Sequence, residues 1–316
     1  MFNHPTLALL TLPLALAACN DNDPSAAPAS AEAVEGLTAT RYRDVLEALH
    51  DRDDYEGYLS FRRRLAERFD AICGDTFCGG DHADLAPVQL TCSATNDGAI
   101  VNECLWAFGG SQGLVDGATG AVRARAASFA CVVPVRARTR SLLAVMGDSA
   151  DPLYEPIPGQ NRAFVDSLYD CFEASAPLPE APAGPYVDAI EGLGEGELTR
   201  YLEVRRALAE RFDEICADTF CRGPYPAIAP LDLRCSVDPA TGELGACVWA
   251  FAAAKTAVDR SSGAVAARQP TFACPLPARG PFVELLAALS GADDPLDAPL
   301  PGGTASVGDA LAACLR

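Results

Sequence analysis

Apolar and polar positions along this chain follow two periods, one helical and one strand-like. From Tyr58 to Cys73, the residues Leu65, Phe69, Ile72 and Cys73 form an apolar stripe at helical spacing, while Arg63, Glu67 and Asp70 fall on another face. The spacing predicts an amphipathic helix that points Cys73 inward. Further on, Leu90 and Cys92, then Cys104, Trp106 and Phe108, then Phe129, Cys131 and Val133 alternate with period two, so each set lies on one face of a strand. The turn sequences Asn96-Asp97-Gly98 and Asp116-Gly117-Ala118-Thr119-Gly120 separate these runs. Asp-x-x-x-Gly suits a type I turn closed by a left-handed glycine, which predicts an antiparallel meander of three strands. A short helix near Ser141 to Met146, a proline-held stretch from Asp151 to Gly159 and a final helix ending at Cys171 follow.

The same pattern returns 143 residues later. Cys73, Cys78, Cys92, Cys104, Cys131 and Cys171 map onto Cys216, Cys221, Cys235, Cys247, Cys274 and Cys314 at that single shift. The helix recurs at Tyr201 to Cys216, the turns at Asp238-Pro239-Ala240-Thr241-Gly242 and Asp259-Arg260-Ser261-Ser262-Gly263, and the short helix at Phe282 to Ser290. The expected fold class is α+β, a tandem duplication in which each copy packs helices on a three-stranded antiparallel meander stapled by disulfides. The copies run over 42–172 and 186–316, joined by a Pro/Ala-rich linker at 173–185. A long helix on an antiparallel sheet resembles the layout of cystatins or pilins, with no shared motif that would carry their function across.

A sheet with one solvated face alternates with polar residues on that face. Here the face opposite the cysteines holds Leu105 and Ala107 on the second strand and Ala130 and Val132 on the third, with Val248, Ala250 and Ala273 in the second copy. These strands are apolar on both sides, so Leu105, Ala107, Val132, Val248 and Ala250 are candidates for an interface, either between the copies or with a partner. Trp106 and Trp249 fall on the cysteine face and are expected as core anchors.

Six cysteines per copy are most simply three disulfides, since their spacings offer no Cys-x₂-Cys pair and no histidine recurs in both copies. Equal distances from the first turn favour Cys92 with Cys104 and Cys235 with Cys247. Cys104 could also face Cys131, and the remaining cysteines of each copy pair among themselves. The thirteenth cysteine, Cys19, has no counterpart. It ends a run, Phe2 to Ala18, that contains no Asp, Glu, Lys or Arg and whose apolar stretch, Leu7 to Leu16, is too short to span a membrane as a helix of ~20 residues. The ending Leu16-Ala17-Ala18-Cys19 resembles the lipobox of bacterial lipoproteins, although His4 and the terminal amine stand where such signals carry Lys or Arg. The resemblance implies a signal peptide at 1–18, a diacylglycerol on the Cys19 thiol, attachment to a membrane through that lipid, and residence in the bacterial cell envelope. Residues 19–41, rich in Asn, Asp, Pro, Ser and Ala at their start, read as a disordered tether.

The formal charge of −19, with Lys255 as the single lysine, argues against a nucleic-acid partner. A local basic run, Arg123, Arg125, Arg136, Arg138 and Arg140, reads mainly as a solvated strand edge, with anion or lipid-headgroup binding as the rival. After Cys19 the histidines are His50 and His82 alone, so no Ser-His-Asp or Cys-His set can be assembled. No metal or cofactor motif is found, and no catalytic residue is assigned. Glu67 and Asp70, repeated as Glu210 and Asp213, are the carboxylates an enzyme could use, but i,i+4 pairing of Arg63 with Glu67 and of Arg206 with Glu210 accounts for them as a solvated face. The expected function is a non-enzymatic binding or scaffolding module with a protein or glycan partner. The alternatives are an envelope hydrolase using the duplicated carboxylates and an inhibitor of extracellular hydrolases.

Overall fold

The computed structural model describes residues 41–78, 82, 84–172 and 182–316. The proposed signal, Cys19 and nearly all of the tether lie outside the described residues, as does most of the linker. In chain order the elements are β1 (Tyr42–Asp44), α1 (Val45–Leu49), α2 (Asp54–Cys73), β2 (Ala86–Thr95), β3 (Ile100–Val115), β4 (Val122–Arg138), α3 (Thr139–Asp148) and α4 (Phe164–Cys171). A second series follows: β5 (Val187–Asp188), α5 (Ala189–Gly192), α6 (Glu195–Cys216), β6 (Ala227–Asp238), β7 (Glu243–Val258), β8 (Val265–Arg268), β9 (Thr271–Leu276), α7 (Phe282–Ser290) and α8 (Val307–Cys314). A 3₁₀ turn at Phe220–Arg222 lies between α6 and β6.

All strand pairings are antiparallel. The first sheet has four strands in the order β1-β2-β3-β4, not the expected three. The extra strand is the short Tyr42–Asp44 segment, which sets Tyr42 opposite Thr95 and Asp44 opposite Ser93. Three residues are too few to display a period of two, so main-chain pairing, not side-chain pattern, makes this strand. Asp44 then turns the chain into α1 by accepting from the Leu46 N–H at 2.7 Å, and Asp188 does the same with Ile190 at 2.9 Å. The second sheet runs β5-β6-β7-β8, with β9 also on β7. Its third strand is split where β4 is continuous, because Pro270 has no N–H to give the ladder.

Each helix-bearing face has its own core. Phe61, Leu65, Phe69 and Ile72 of α2 pack with Trp106, Phe108, Val133 and Val135, and Leu208 and Phe212 of α6 pack with Trp249, Phe251 and Leu276. Trp106 and Trp249 are each 1% exposed. Matching ring contacts mark the two cores: Phe69 stacks on Phe77 and Phe212 on Phe220, each pair at an interplanar angle of 13°. Burying one such side chain contributes about 1.5–3 kcal/mol.

Six disulfides tie these elements. Cys92 and Cys104 stand opposite each other in the β2–β3 register, as do Cys235 and Cys247 in β6–β7, and both pairs are bonded. Cys73–Cys78 and Cys216–Cys221 close the turn after the long helix, while Cys131–Cys171 and Cys274–Cys314 fasten the last helix to the sheet. Cys104 therefore does not bond to Cys131. Sequence separations of 5, 12 and 40 recur in both series, which by loop entropy rank the bonds at roughly 2, 3 and 4 kcal/mol.

Candidate functional site

The faces opposite the cores meet. Leu105, Ala107, Ala254 and Val265 form a buried cluster, flanked by Val88, Val258 and Ala267. Val248 and Ala250 are buried as well, at 9% and 0% exposure. Residues at the contact are small because the sheets approach closely. A Cβ on Gly109 would collide with the Cβ of Ala252, and one on Gly245 would meet the Cα of Gly120 at 2.9 Å.

Val132 departs from this set. It is the direct cross-strand neighbour of Leu105, yet it is 44% exposed. Ala130 and Ala273 are exposed too. Cover on the outer strands is uneven: Val265 of β8 lies in the buried cluster, and β4 meets the other half where Ser128 donates to Gln269 O at 3.2 Å and Gln269 donates to Phe129 O at 2.9 Å, whereas Val132, further along β4, is left open. Of the five candidate interface residues, Val132 is thus the one left open. Along β4 the exposed positions alternate from Ala130 through Val132 and Pro134 to Arg136 and Arg138. Of the basic run, Arg136 and Arg138 belong to this exposed row, whereas Arg123 and Arg125 fall on the opposite parity, with Arg125 donating to Gln112 at 2.7 Å, and Arg140 lies on α3, paired with Asp54 at 3.3 Å.

Several polar contacts across the seam come in reciprocal pairs. Ser93 donates to the carbonyl of Gly263, and Ser236 donates to the carbonyl of Gly120. The N–H of Tyr42 donates to Arg260 O at 3.1 Å, and that of Tyr186 donates to Gly117 O at 3.0 Å. Each hairpin tip thus clasps the first strand of the other half, so residue i meets j and the counterpart of j meets the counterpart of i, as in an isologous contact.

One side of the seam holds a charge network. Asp232, with a side chain 9% exposed, accepts from Arg205 and from Arg234, and Arg234 also pairs with Asp188 at 3.0 Å and donates to Gly113 O at 3.2 Å across the seam. In the other half, Arg62, Gln89 and Thr91 hold the positions of Arg205, Asp232 and Arg234. Thr91 reaches Thr256 across the seam at 2.7 Å, but Arg62 Nε and Gln89 Oε1 are buried without a partner. Pattern reading missed this network. Asp232 and Arg234, two apart on an otherwise apolar strand and so on one face, were the signal for it. Across the seam, Asp84 accepts from both the N–H and the hydroxyl of Ser111, while burial holds its carboxyl above the usual range and Asp232 adds to that.

The duplicated carboxylates lie away from this network. Glu67 pairs with Arg63 at 3.6 Å on an open face, whereas no ion pair joins Arg206 and Glu210. Both of the latter are exposed, where such a pair gains too little to hold two long side chains. Loss of solvation first, and the charge of Asp70 second, push the Asp213 carboxyl up to about 6. Asp70 is raised by desolvation. Among the described residues no group of three or more His, Cys, Asp or Glu side chains could hold a metal ion, and no helix is long and apolar enough to cross a membrane. His82 is buried edge-on against Phe129.

The chain matches no protein-family model, no curated protein and no solved structure, so neither the lipoprotein reading nor the cystatin-like layout gains a relative from these comparisons.

Proposed function

We propose that this protein is a lipid-anchored, cell-envelope binding or scaffolding module made of two duplicated domains that pair with each other as the halves of a dimer would. The observation that carries this reading is cysteine usage. Six disulfides account for twelve of thirteen cysteines, and Cys19, behind Leu16-Ala17-Ala18, is the one outside them. Disulfides at this density belong to an oxidising compartment, and a cysteine closing an apolar export segment has acylation as its chemistry. A diacylglycerol together with further acylation would hold the protein durably at a bilayer surface. Duplication is supported by the common shift of 143, the repeated disulfide separations and the reciprocal contacts of the seam. Mass spectrometry of the native protein tests the anchor: the expected result is a mature chain beginning at lipidated Cys19, and a soluble chain cleaved elsewhere would refute it.

A second reading, an envelope hydrolase, is favoured by one observation, the Asp213 carboxyl lifted to about 6 beside Asp70. A carboxylic acid in that range can give and take a proton near neutrality. Replacing Glu67, Asp70, Glu210 and Asp213 together decides between the readings, since an activity lost while the fold survives would favour the enzyme. The hydrolase-inhibitor reading has no observation of this kind in its support.

A further inference from the structure

In the first half, the guanidinium of Arg64 lies between α2 and the end of α3, where it donates to the carbonyls of Met146 and Ser149. The shift of 143 places Ala207 at the position of Arg64, with Leu289 and Ala292 at those of Met146 and Ser149. A cleft of about 320 Å³ is open at this place in the second half, between α6 and α7. Val204, Ala207, Leu289 and Pro295 line it, and Val204 and Leu289 are each 4% exposed. Among the described residues no side chain donates to Leu289 O or Ala292 O. The rim has changed as well: Ser60 and Ala150 of the first half become Glu203 and Asp293, both of which line the cleft. Where the first half carries one cation, the second therefore carries two carboxylates and the negative end of a nine-residue helix.

The geometry points to this cleft as a docking site for an arginine side chain of a cationic partner peptide. The first half shows the binding mode with an occupant from the chain itself, two guanidinium nitrogens on two carbonyls beside apolar side chains. A planar fork of donors fits two separated acceptors in a way a lysine ammonium does not. The stem of the arginine would lie on Val204 and Leu289 while its head faces Glu203 and Asp293. This inference deepens the binding-module reading by naming a ligand class, and it rests on that reading. The anchor is tested separately by the mass of the mature terminus, so either can fail without the other.

The experiment titrates the full mature chain carrying Cys19→Ser with N-acetyl-arginine amide and follows backbone amide shifts. Saturable movement of the Ala207, Ser290 and Ala292 amides with a midpoint on the order of millimolar is expected. The neutral isostere N-acetyl-citrulline amide should bind at least tenfold more weakly, roughly 1.4 kcal/mol. Ala207→Arg, which copies the first half, should remove the response. The surface pair Glu203→Gln and Asp293→Asn should weaken it severalfold and provides an independent check if Ala207→Arg does not fold. Arg64→Ala should open a second, weaker site read at Met146 and Ser149. Amides of α6 and α7 that do not move, equal binding of citrulline, or unchanged affinity in a folded Ala207→Arg or Glu203→Gln/Asp293→Asn chain would overturn the inference.

Discussion

Arg205 and Arg62 occupy the same place on their helices and meet different partners. Arg205 donates to Asp232, which Arg234 also holds, so the buried carboxylate of the second half is neutralised by two guanidiniums. Arg62 and Gln89 hold the matching positions in the first half, where Arg62 Nε and Gln89 Oε1 are buried without a hydrogen-bond partner among the described residues. Arg68 and Asp151 of the first half pair through Nη2 and Oδ2 at 2.7 Å, which leaves Arg68 Nε and Asp151 Oδ1 buried without a hydrogen bond, whereas their counterparts Arg211 and Asp294 meet through Nε at 2.7 Å. The centres of the apolar cores, by contrast, repeat the same residues, Tyr58, Leu65, Phe69, Trp106 and Phe108 against Tyr201, Leu208, Phe212, Trp249 and Phe251, while Phe61, Val133 and Phe164 further out are matched by Val204, Leu276 and Val307. The difference teaches that the halves share the centre of their cores, since a core tolerates no change of volume without cost, while the unsatisfied side-chain atoms of Arg62, Arg68, Gln89 and Asp151 all lie in the first half.

The largest expected effect breaks the seam. Leu105→Asp would bury a carboxylate among Ala107, Ala254 and Val265 and should cost about 4 kcal/mol or more. Val132→Asp, on the neighbouring position of the same face, should change stability by no more than about 0.5 kcal/mol. Urea unfolding of the two variants measures the pair, and equal losses would mean that the edge of the contact is misplaced.

Next comes the charge network. Asp232→Ala should cost about 2–3 kcal/mol, below the full range for breaking a buried pair because Arg205 and Arg234 remain about a quarter exposed. Gln89→Ala should be nearly neutral, since it removes an acceptor that has no donor. Gln89→Asp sharpens the comparison by giving Arg62 the partner that Arg205 has, and should raise stability by about 1 kcal/mol in the same urea assay.

The smallest effect concerns pH. An Asp213 carboxyl held up to about 6, against an ordinary 3.8, penalises the folded state when ionised. The penalty is absent below the ordinary value, grows between there and pH 6, and is complete above it. Asp213→Asn should therefore raise Tm at pH 7 by about 1–2 °C, as suits an exposed side chain, and by less at pH 4. Calorimetry at both values checks the sign, and a gain larger at pH 4 would contradict it.

The sequence by itself determined the features that depend on one element or one register. Period two brought Cys92 opposite Cys104, because residues equidistant from a tight turn must face each other. The α2 stripe and the burial of Trp106 and Trp249 were legible for the same local reason, and so was the presence of an apolar face on both sides of β3 and β7. Other features rest on contacts between segments distant in the chain. Tyr42–Asp44 becomes a fourth strand only because β2 offers a free edge. Leu105 is buried against the other half while its cross-strand neighbour Val132 stays exposed, a difference that no period along the chain encodes. Arg64 fills its own half while Ala207 leaves a cleft, a contrast that becomes meaningful once Met146 and Ser149 are seen to receive the guanidinium. Side-chain period is a property of the backbone's own repeat and can be read along the chain. Which of two apolar faces finds cover, and which cation finds an acceptor, depends on tertiary packing, and only the folded structure decided it.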